Sequence, residues 1–392
     1  MSVPVPGTPS VLRAINDRAA LEALLAHGPL TRPRLTDLIG VSKPTASQLL
    51  ARLVEAGLVV RDGVREGLPG RTAELYRLDA SAAHVAGLDV TPARIRASVA
   101  DLAGTVVGEF ELPTPGRSGV DAVARAGAAL DGAAAAAGLA RGGLNRAVIG
   151  IQGAVDPGTG RLGYAAHIPG WHIPGLVATL ADGLGLPVAV ENDVNLAALA
   201  EGEDGGGGDF VLLWVADGVG MALVLGGVPH RGATGGAGEI GYMPAVGAPL
   251  MRDVRRTHTG GVHSLIGGAA VLKLMRTHGF RGRDAATALG RAADAEGSAP
   301  AGAALTELAT RLGSTLATVT AVVDPGHIVL TGDVLRAGGE PLRARVEREL
   351  HSMSIPRPPV LLSSVQGNPV LAGALRQGLR ETRDAVFSST TP

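Results

Sequence analysis

Apolar positions along the chain follow a helical period first and a strand period later. From Val11 to His27 they recur at helical spacing (Leu12, Ile15, Ala19, Leu24), and Gly28-Pro29 ends the run. The ten residues before it read as a proline-containing, disordered tail. The stretch "LTRPRLTDLIGVSKPTASQLLARLVEAGLVV" predicts two more helices. Thr31 caps the first, which runs through Ile39 with Pro33 in its opening turn, where a missing N–H costs little. Gly40 breaks it, Ser42 caps the second from Lys43 to Ala56, and Gly57 ends it before a strand. Leu49, Leu50, Leu53 and Val54 form that helix's buried face. Helix, glycine turn, helix is a helix-turn-helix pattern, and the strands around "RDGVREGLPGRTAELYRL" supply a wing.

From residue 84 the pattern becomes α/β. "HVAGLDVTPARIRASVADLAGTVVGEFEL" predicts two or three strands with a tight turn at Asp101 to Gly104, followed by an alanine-rich helix from Gly119 to Ala137. Next come the strand "RAVIGIQGAV" and the loop "DPGTGRL". Strand and helix signals then alternate to a last helix that starts near Leu371. At "PVAVENDVNLAALAE" an apolar strand delivers Glu191, Asn192 and Asp193 to a turn that opens a helix. A carboxylate presented there beside a carboxamide can grip a hydroxyl and take its proton. Gly205 to Gly208 read as a loop rather than a phosphate cradle, because no helix N-terminus follows. No short internal repeat stands out.

Composition narrows the classes. A chain of 392 residues predicts two or three domains. A formal net charge of -1 excludes a uniformly basic nucleic-acid binder but not a small DNA-binding module on a neutral body. Without cysteine there are no disulfides and no thiolate metal sites. No leader signal and no clean apolar stretch of spanning length is seen, so a soluble cytoplasmic protein without membrane contact is expected. Only Lys43 and Lys273 are lysines, and the Ala, Gly and Arg excess reflects coding bias. Through about residue 80 the basic residues outnumber the acidic by two. Arg32, Arg34, Lys43, Arg61, Arg65 and Arg71 cluster in the wing and the first helical turns. The expected DNA contacts are Arg32, Arg34, Ser42, Lys43, Pro44, Thr45, Ser47 and Gln48, with Arg71 reaching the backbone or minor groove. The sequence "PGRTAEL" has Thr72 after that arginine.

Landmarks across nearly the whole chain resemble the ROK family of transcriptional regulators. They are "AGLDVTPARIRASVADLAG", "IQGAVDPGTGRLGYAAHIPGW", "VENDVNLAALAE", "WVADGVGMALVLGGVPHRGATGGAGEIGY", "VVDPGHIVLTGDV" and "LAGALRQGL", in that order. The resemblance implies a winged helix at 11–80 fused to a two-lobed actin/hexokinase-like ATPase fold at 81–392. Lobe one would cover about 81–196 plus the C-terminal helix, and lobe two about 197–375. It also implies a hydroxyl-binding site made of Asn192, Asp193 and Glu239.

The departures point away from catalysis. In the family's kinases the first phosphate hairpin is glycine-rich, whereas here Asp89 is followed by Val90, Thr91, Pro92 and Ala93. Pro92 has no N–H to give a phosphate. At the second phosphate loop the family's Gly-Thr-Gly becomes Ala216-Asp217-Gly218, which puts a like charge before a triphosphate. The family's zinc ligands are gone together. Tyr242 stands at the histidine position, no cysteines follow, and His258 and His263 alone do not make a site. His263 replaces a sugar-contacting Glu, and His167 stands where Asn is common. The expected effector residues are therefore Asn192, Asp193, Glu239, His263, His167 and Tyr242, with no metal, no cofactor and Asp193 a vestigial base. The expected function is a sugar-sensing DNA-binding repressor of carbohydrate metabolism. It would act as a homo-oligomer on an inverted-repeat operator and would not be an enzyme. The alternatives are an active sugar kinase with an accessory DNA-binding domain and a ligand-independent regulator with a decayed pocket.

Overall fold

The computed structural model describes residues 9–65, 73–114, 121–163, 168, 170–202, 208–252 and 259–388. The positions Arg71, His167 and His258 lie outside them.

The N-terminal unit comprises α1 (Pro9–His27), β1 (Leu30–Thr31), α2 (Arg32–Ile39), α3 (Lys43–Glu55), β2 (Val59–Arg65) and β3 (Ala73–Leu78). Its strands form a small sheet in the order β1-β3-β2, with β3 antiparallel to both neighbours. This is the predicted winged helix-turn-helix. Gly40 ends α2 in the left-handed conformation, at φ 68°. Thr31 stands at the start of α2 but its hydroxyl makes no cap bond. The helix begins there because Pro33 fits its first turn. Two other expectations shift. α1 starts at Pro9, inside the expected tail, and its apolar face is only half used. Leu21 and Leu24 are buried, whereas Leu12 and Ile15 stay 56% and 57% exposed.

The next unit contains β4 (His84–Val90), β5 (Arg94–Asp101), β6 (Val106–Pro113), α4 (Ala122–Ala136), β7 (Arg146–Ile151), the short pair β8 (Ala154–Val155) and β9 (Leu162–Gly163), α5 (Leu176–Leu184), β10 (Val188–Asn192) and α6 (Asp193–Glu201). The last comprises β11 (Phe210–Val215), β12 (Val219–Leu225), β13 (Val228–Pro229), α7 (His263–Ile266), α8 (Gly268–Thr277), α9 (Ala285–Asp294), α10 (Ala299–Val323), β14 (His327–Thr331), α11 (Asp333–Met353) and β15 (Val360–Leu362), after which α12 (Pro369–Ser388) returns to pack on the first sheet and α6. The two five-stranded sheets are ordered β10-β7-β4-β5-β6 and β13-β12-β11-β14-β15. In each, the first three strands are antiparallel and the last two add in parallel beside the first. One topology is thus used twice, with no short sequence repeat to mark it. The two lobes of the ATPase-like fold are these sheets with their helices.

β4 reads as a continuous apolar run because α4 and α12 cover its two faces. Asp121 caps α4, with its carboxylate accepting from Val123 N and Ala124 N at 2.9 and 3.1 Å. Three larger cores result. One lies in each lobe. The third belongs to the winged helix but also includes Leu102 from the first lobe and Phe387 from α12. A salt bridge of 2.6 Å from Arg18 to Asp384 closes the same joint. Among the described residues no helix is long and apolar enough to cross a membrane.

Candidate DNA interface and effector cleft

α3 buries Ala46, Leu49, Leu50 and Leu53, spaced so that one face meets the core. The opposite face of its first turns is therefore presented outward. Ser42 is extended (ψ 154°) and its Oγ accepts from Thr45 N at 3.3 Å. The Ser42 and Thr45 hydroxyls pair at 2.8 Å, and Ser47 Oγ donates back to Lys43 O at 3.1 Å. All three hydroxyls are committed to the helix itself. Lys43, Pro44 and Gln48 are exposed, as is Arg34 at the start of α2. Arg32 is engaged otherwise. Its guanidinium lies 3.3 Å from Tyr76 Oη and 3.6 Å from Glu74, so it ties α2 to the wing. The Tyr76 hydroxyl donates to Glu74 at 2.7 Å. That bond, with the charges of Arg61 and Arg32, holds the Glu74 carboxyl below the usual range.

The cleft is built around α6. Asn192 Oδ1 accepts from Val194 N and Asn195 N at 2.8 and 3.0 Å, and its Nδ2 donates to Gly153 O at 3.0 Å. Asn192 is thus chiefly a helix cap, with one N–H left for a ligand. Asp193 follows as the first helical residue. Burial, then the charge of Asp89, then that of Glu239 push its carboxyl up to about 7 against the pull of the Val194 N–H. Burial alone pushes Glu239 up to about 7. Asp89, 8% exposed on β4, is also raised by burial, although Asn368 donates to it at 2.7 Å. Carboxyls from β4 and the turn after Gly238 thus both act on Asp193 at the start of α6. Among the described residues no group of three or more acidic or histidine side chains is close enough to hold a metal ion.

Tyr242 and His263 lie at the turn that follows Glu239. Tyr242 ends the short 3-10 turn 240–242 that follows Glu239. The His263 ring opens α7, with Nδ1 3.7 Å from where a Gly241 side chain would begin. Next to Asp193 is an ion pair that sequence reading missed. Arg231 Nε reaches Glu191 Oε2 at 2.6 Å, across from lobe two to lobe one. Glu191 is 5% exposed and also accepts from Asn195 Nδ2 at 2.9 Å. The signal was available, since Glu191 and Asp89 are carboxylates in otherwise apolar strands.

At the first phosphate hairpin the turn consumes its own donors. Thr91 N–H and Thr91 Oγ1 both donate to Arg94 O at 2.9 Å, and Arg94 N–H donates to Thr91 Oγ1 at 3.2 Å. With Pro92 lacking an N–H, only Ala93 keeps one outside these bonds. At the second hairpin Ala216 N donates to Gly218 O, and the first N–H of α8 goes to Asp217 O at 3.3 Å. The Asp217 side chain is exposed on that loop. In the loop after Tyr242, Gly261 N donates to Pro249 O at 2.8 Å and Val262 N to Met243 O at 2.9 Å. A side chain at Gly260 would begin 2.5 Å from Pro249 O, so this closure requires glycine.

A winged helix sharing a core with a duplicated, cleft-bearing α/β body defines a class: a DNA-binding head on a kinase-like fold. Comparison with known proteins makes the family explicit. Residues 85–375 match the ROK family, and residues 15–71 match the MarR family. The chain belongs to the ROK family. It is 24% identical over 348 residues to the DNA-binding transcriptional dual regulator NagC of Escherichia coli K12, covering 84% of this chain and 83% of that one. It is 26% identical over 242 residues to the xylose repressor of Caldicellulosiruptor bescii, and that match spans 60% of either chain. A solved ROK-family transcriptional regulator, a homologue of the E. coli MLC protein, shares the fold over 97% of this chain and 99% of its own. The TM-score is 0.73 at 19% identity. Sugar kinases of the family share the fold of the body as well.

Proposed function

We propose that this chain is a sequence-specific transcriptional regulator, a repressor of carbohydrate-metabolism genes, whose kinase-like domain binds a sugar-like effector without phosphorylating it. The winged helix is assigned to 11–80 and the effector domain to 81–392. The protein acts in the cytoplasm as a homo-oligomer on an inverted repeat. Arg34, Lys43 and Gln48 carry most of the DNA contact, with Arg32, Ser42, Pro44, Thr45 and Ser47 shaping that surface. Asp193 and Glu239 grip hydroxyls, assisted by Tyr242, His263 and the remaining Asn192 N–H. Lobe closure over the ligand moves the winged helix, by as much as the ligand's preference for the closed state allows.

One observation carries the non-catalytic part. In the first phosphate hairpin the Thr91 and Arg94 N–H groups are spent on the turn and Pro92 has none, which leaves Ala93 alone to meet a phosphate and supports a cradle too poor in donors for phosphoryl transfer. A second reading, an active sugar kinase, has one observation in its favour: a carboxyl raised to about 7 suits a general base at neutral pH. Coupled ADP release with ATP, Mg²⁺ and a panel of sugars separates them. The expected result is release equal to the no-sugar blank. Sugar-dependent release that disappears in Asp193→Ala would make the protein a kinase.

A further inference from the structure

α12 joins the two ends of the molecule. Its 20 residues span about 30 Å. At its N-terminal end the Asn368 side chain makes three bonds. Oδ1 accepts from Val370 N and Leu371 N at 2.9 and 3.2 Å, capping the helix, while Nδ2 donates to Asp89 Oδ2 at 2.7 Å. At the other end Phe387, 2% exposed, is part of the winged-helix core, and Asp384 pairs with Arg18 of α1.

Between the ends, α12 is in backbone contact with the helix that carries Asp193. A side chain at Gly373 would begin 1.8 Å from Leu196 O, so α6 and α12 cannot slide apart or rotate independently without losing that fit. The joint at the far end is held by the Arg18–Asp384 salt bridge and by Arg383, whose guanidinium donates to Leu102 O at 3.0 and 2.9 Å. A groove of about 720 Å³ runs beside this joint, lined by Arg18, Glu22 and Leu25 of α1 and by Leu379 and Arg383 of α12. A helix tied to Asp89 at one end, packed on the first sheet along its length and set into the winged-helix core at the other end is a continuous path for a displacement.

We propose that Asn368 is a positioning residue that couples the cleft to the winged helix, by gripping Asp89 with one arm of its carboxamide and capping α12 with the other. A ligand that rearranges Asp89 or Asp193 pulls on α12 from its first residue, and Phe387 transmits the displacement into the winged-helix core. This rests on the sensor reading of the cleft, yet its test needs no ligand.

The test is hydrogen exchange on the full-length chain, comparing wild type with Asn368→Ser, Asn368→Asp and Asp89→Ala. Serine and aspartate both keep the helix cap, so a loss of capping is not what the variants report. Serine is too short to hold Asp89, and aspartate sets a second carboxylate against it. Exchange is expected to quicken about threefold or more in the last two turns of α12 and in α1 and α3, with local opening made easier at the far joint. Asp89→Ala should reproduce the pattern, and the Asp89→Ala/Asn368→Ser double variant should add nothing beyond either single change. Faster exchange confined to β4, β5 and the first turn of α12, with the winged helix as in wild type, overturns the coupling. Should Asn368→Ser not fold, Asn368→Asp and Asp89→Ala decide by the same two patterns. A chain that passes this test but answers no sugar would retain the coupling and lose the sensor reading.

Discussion

Asp193 and Glu239 are placed where a carboxyl is held against its preference for water. Each is near 7, so the folded protein keeps protons that the unfolded chain releases near pH 4. The contribution to stability is full below about pH 4 and is lost as pH rises through about 7. Asp193→Asn should therefore melt above wild type at pH 8, by on the order of 2 kcal/mol, and the advantage should vanish near pH 3.5. Asparagine retains the acceptor for Val194 N, so the helix start is not the variable. Melting curves across this range check it, and an advantage independent of pH would mean that burial is not the cause. On the DNA face the side chains divide by chemistry. Gln48→Ala should relax preference at one base pair by roughly 1–3 kcal/mol, whereas Arg34→Ala should weaken all sequences alike and flatten the salt dependence. Binding measured against single-base operator variants at two salt concentrations distinguishes the two. The sequence showed the residues of this face but not their commitments, since Ser42, Thr45 and Ser47 turn their hydroxyls back onto α3.

Elements were legible where a local rule decides them. The glycine at the end of α2, the Ser42 cap and the apolar face of α3 follow from short-range chemistry, and the structure keeps them. What the sequence hid depends on distant partners. Leu12 and Ile15 fit an amphipathic helix, yet the winged-helix core reaches α1 only at Ala20 and beyond. Asn368 and Asp89 are 279 positions apart, and nothing local to either reveals the bond between them. The loop after Tyr242 is intermediate. Gly260 and Gly261 lie in it, and the backbone bonds from Gly261 and Val262 close it. Gly260→Ala should lower the melting temperature by several degrees because its side chain collides with the Pro249 carbonyl. Chelators should leave the wild-type melting temperature unchanged, and elemental analysis should find no stoichiometric zinc. One zinc per chain would contradict this account of the loop.

At the scale of the molecule, the proposed operator reading has one winged helix per chain on one half-site. Two half-sites about 34–36 Å apart require two copies, so sedimentation at micromolar concentration should give a dimer or larger, and footprints should come in pairs. A monomer protecting a single half-site would contradict the operator reading. The topology of the body was legible only as alternating strands and helices. That both sheets share one strand order appears once the register is known. The central claim is that the cleft speaks to the DNA face through Asp193 rather than to ATP. It is tested most directly by titrating wild type and Asp193→Ala onto a DNA fragment selected for binding, with and without each sugar of the panel. The two proteins should bind with equal affinity without sugar, and at least one sugar should shift the wild type about tenfold or more, roughly 1.4 kcal/mol, while leaving Asp193→Ala unmoved. A variant that answers the sugar as wild type does would contradict it.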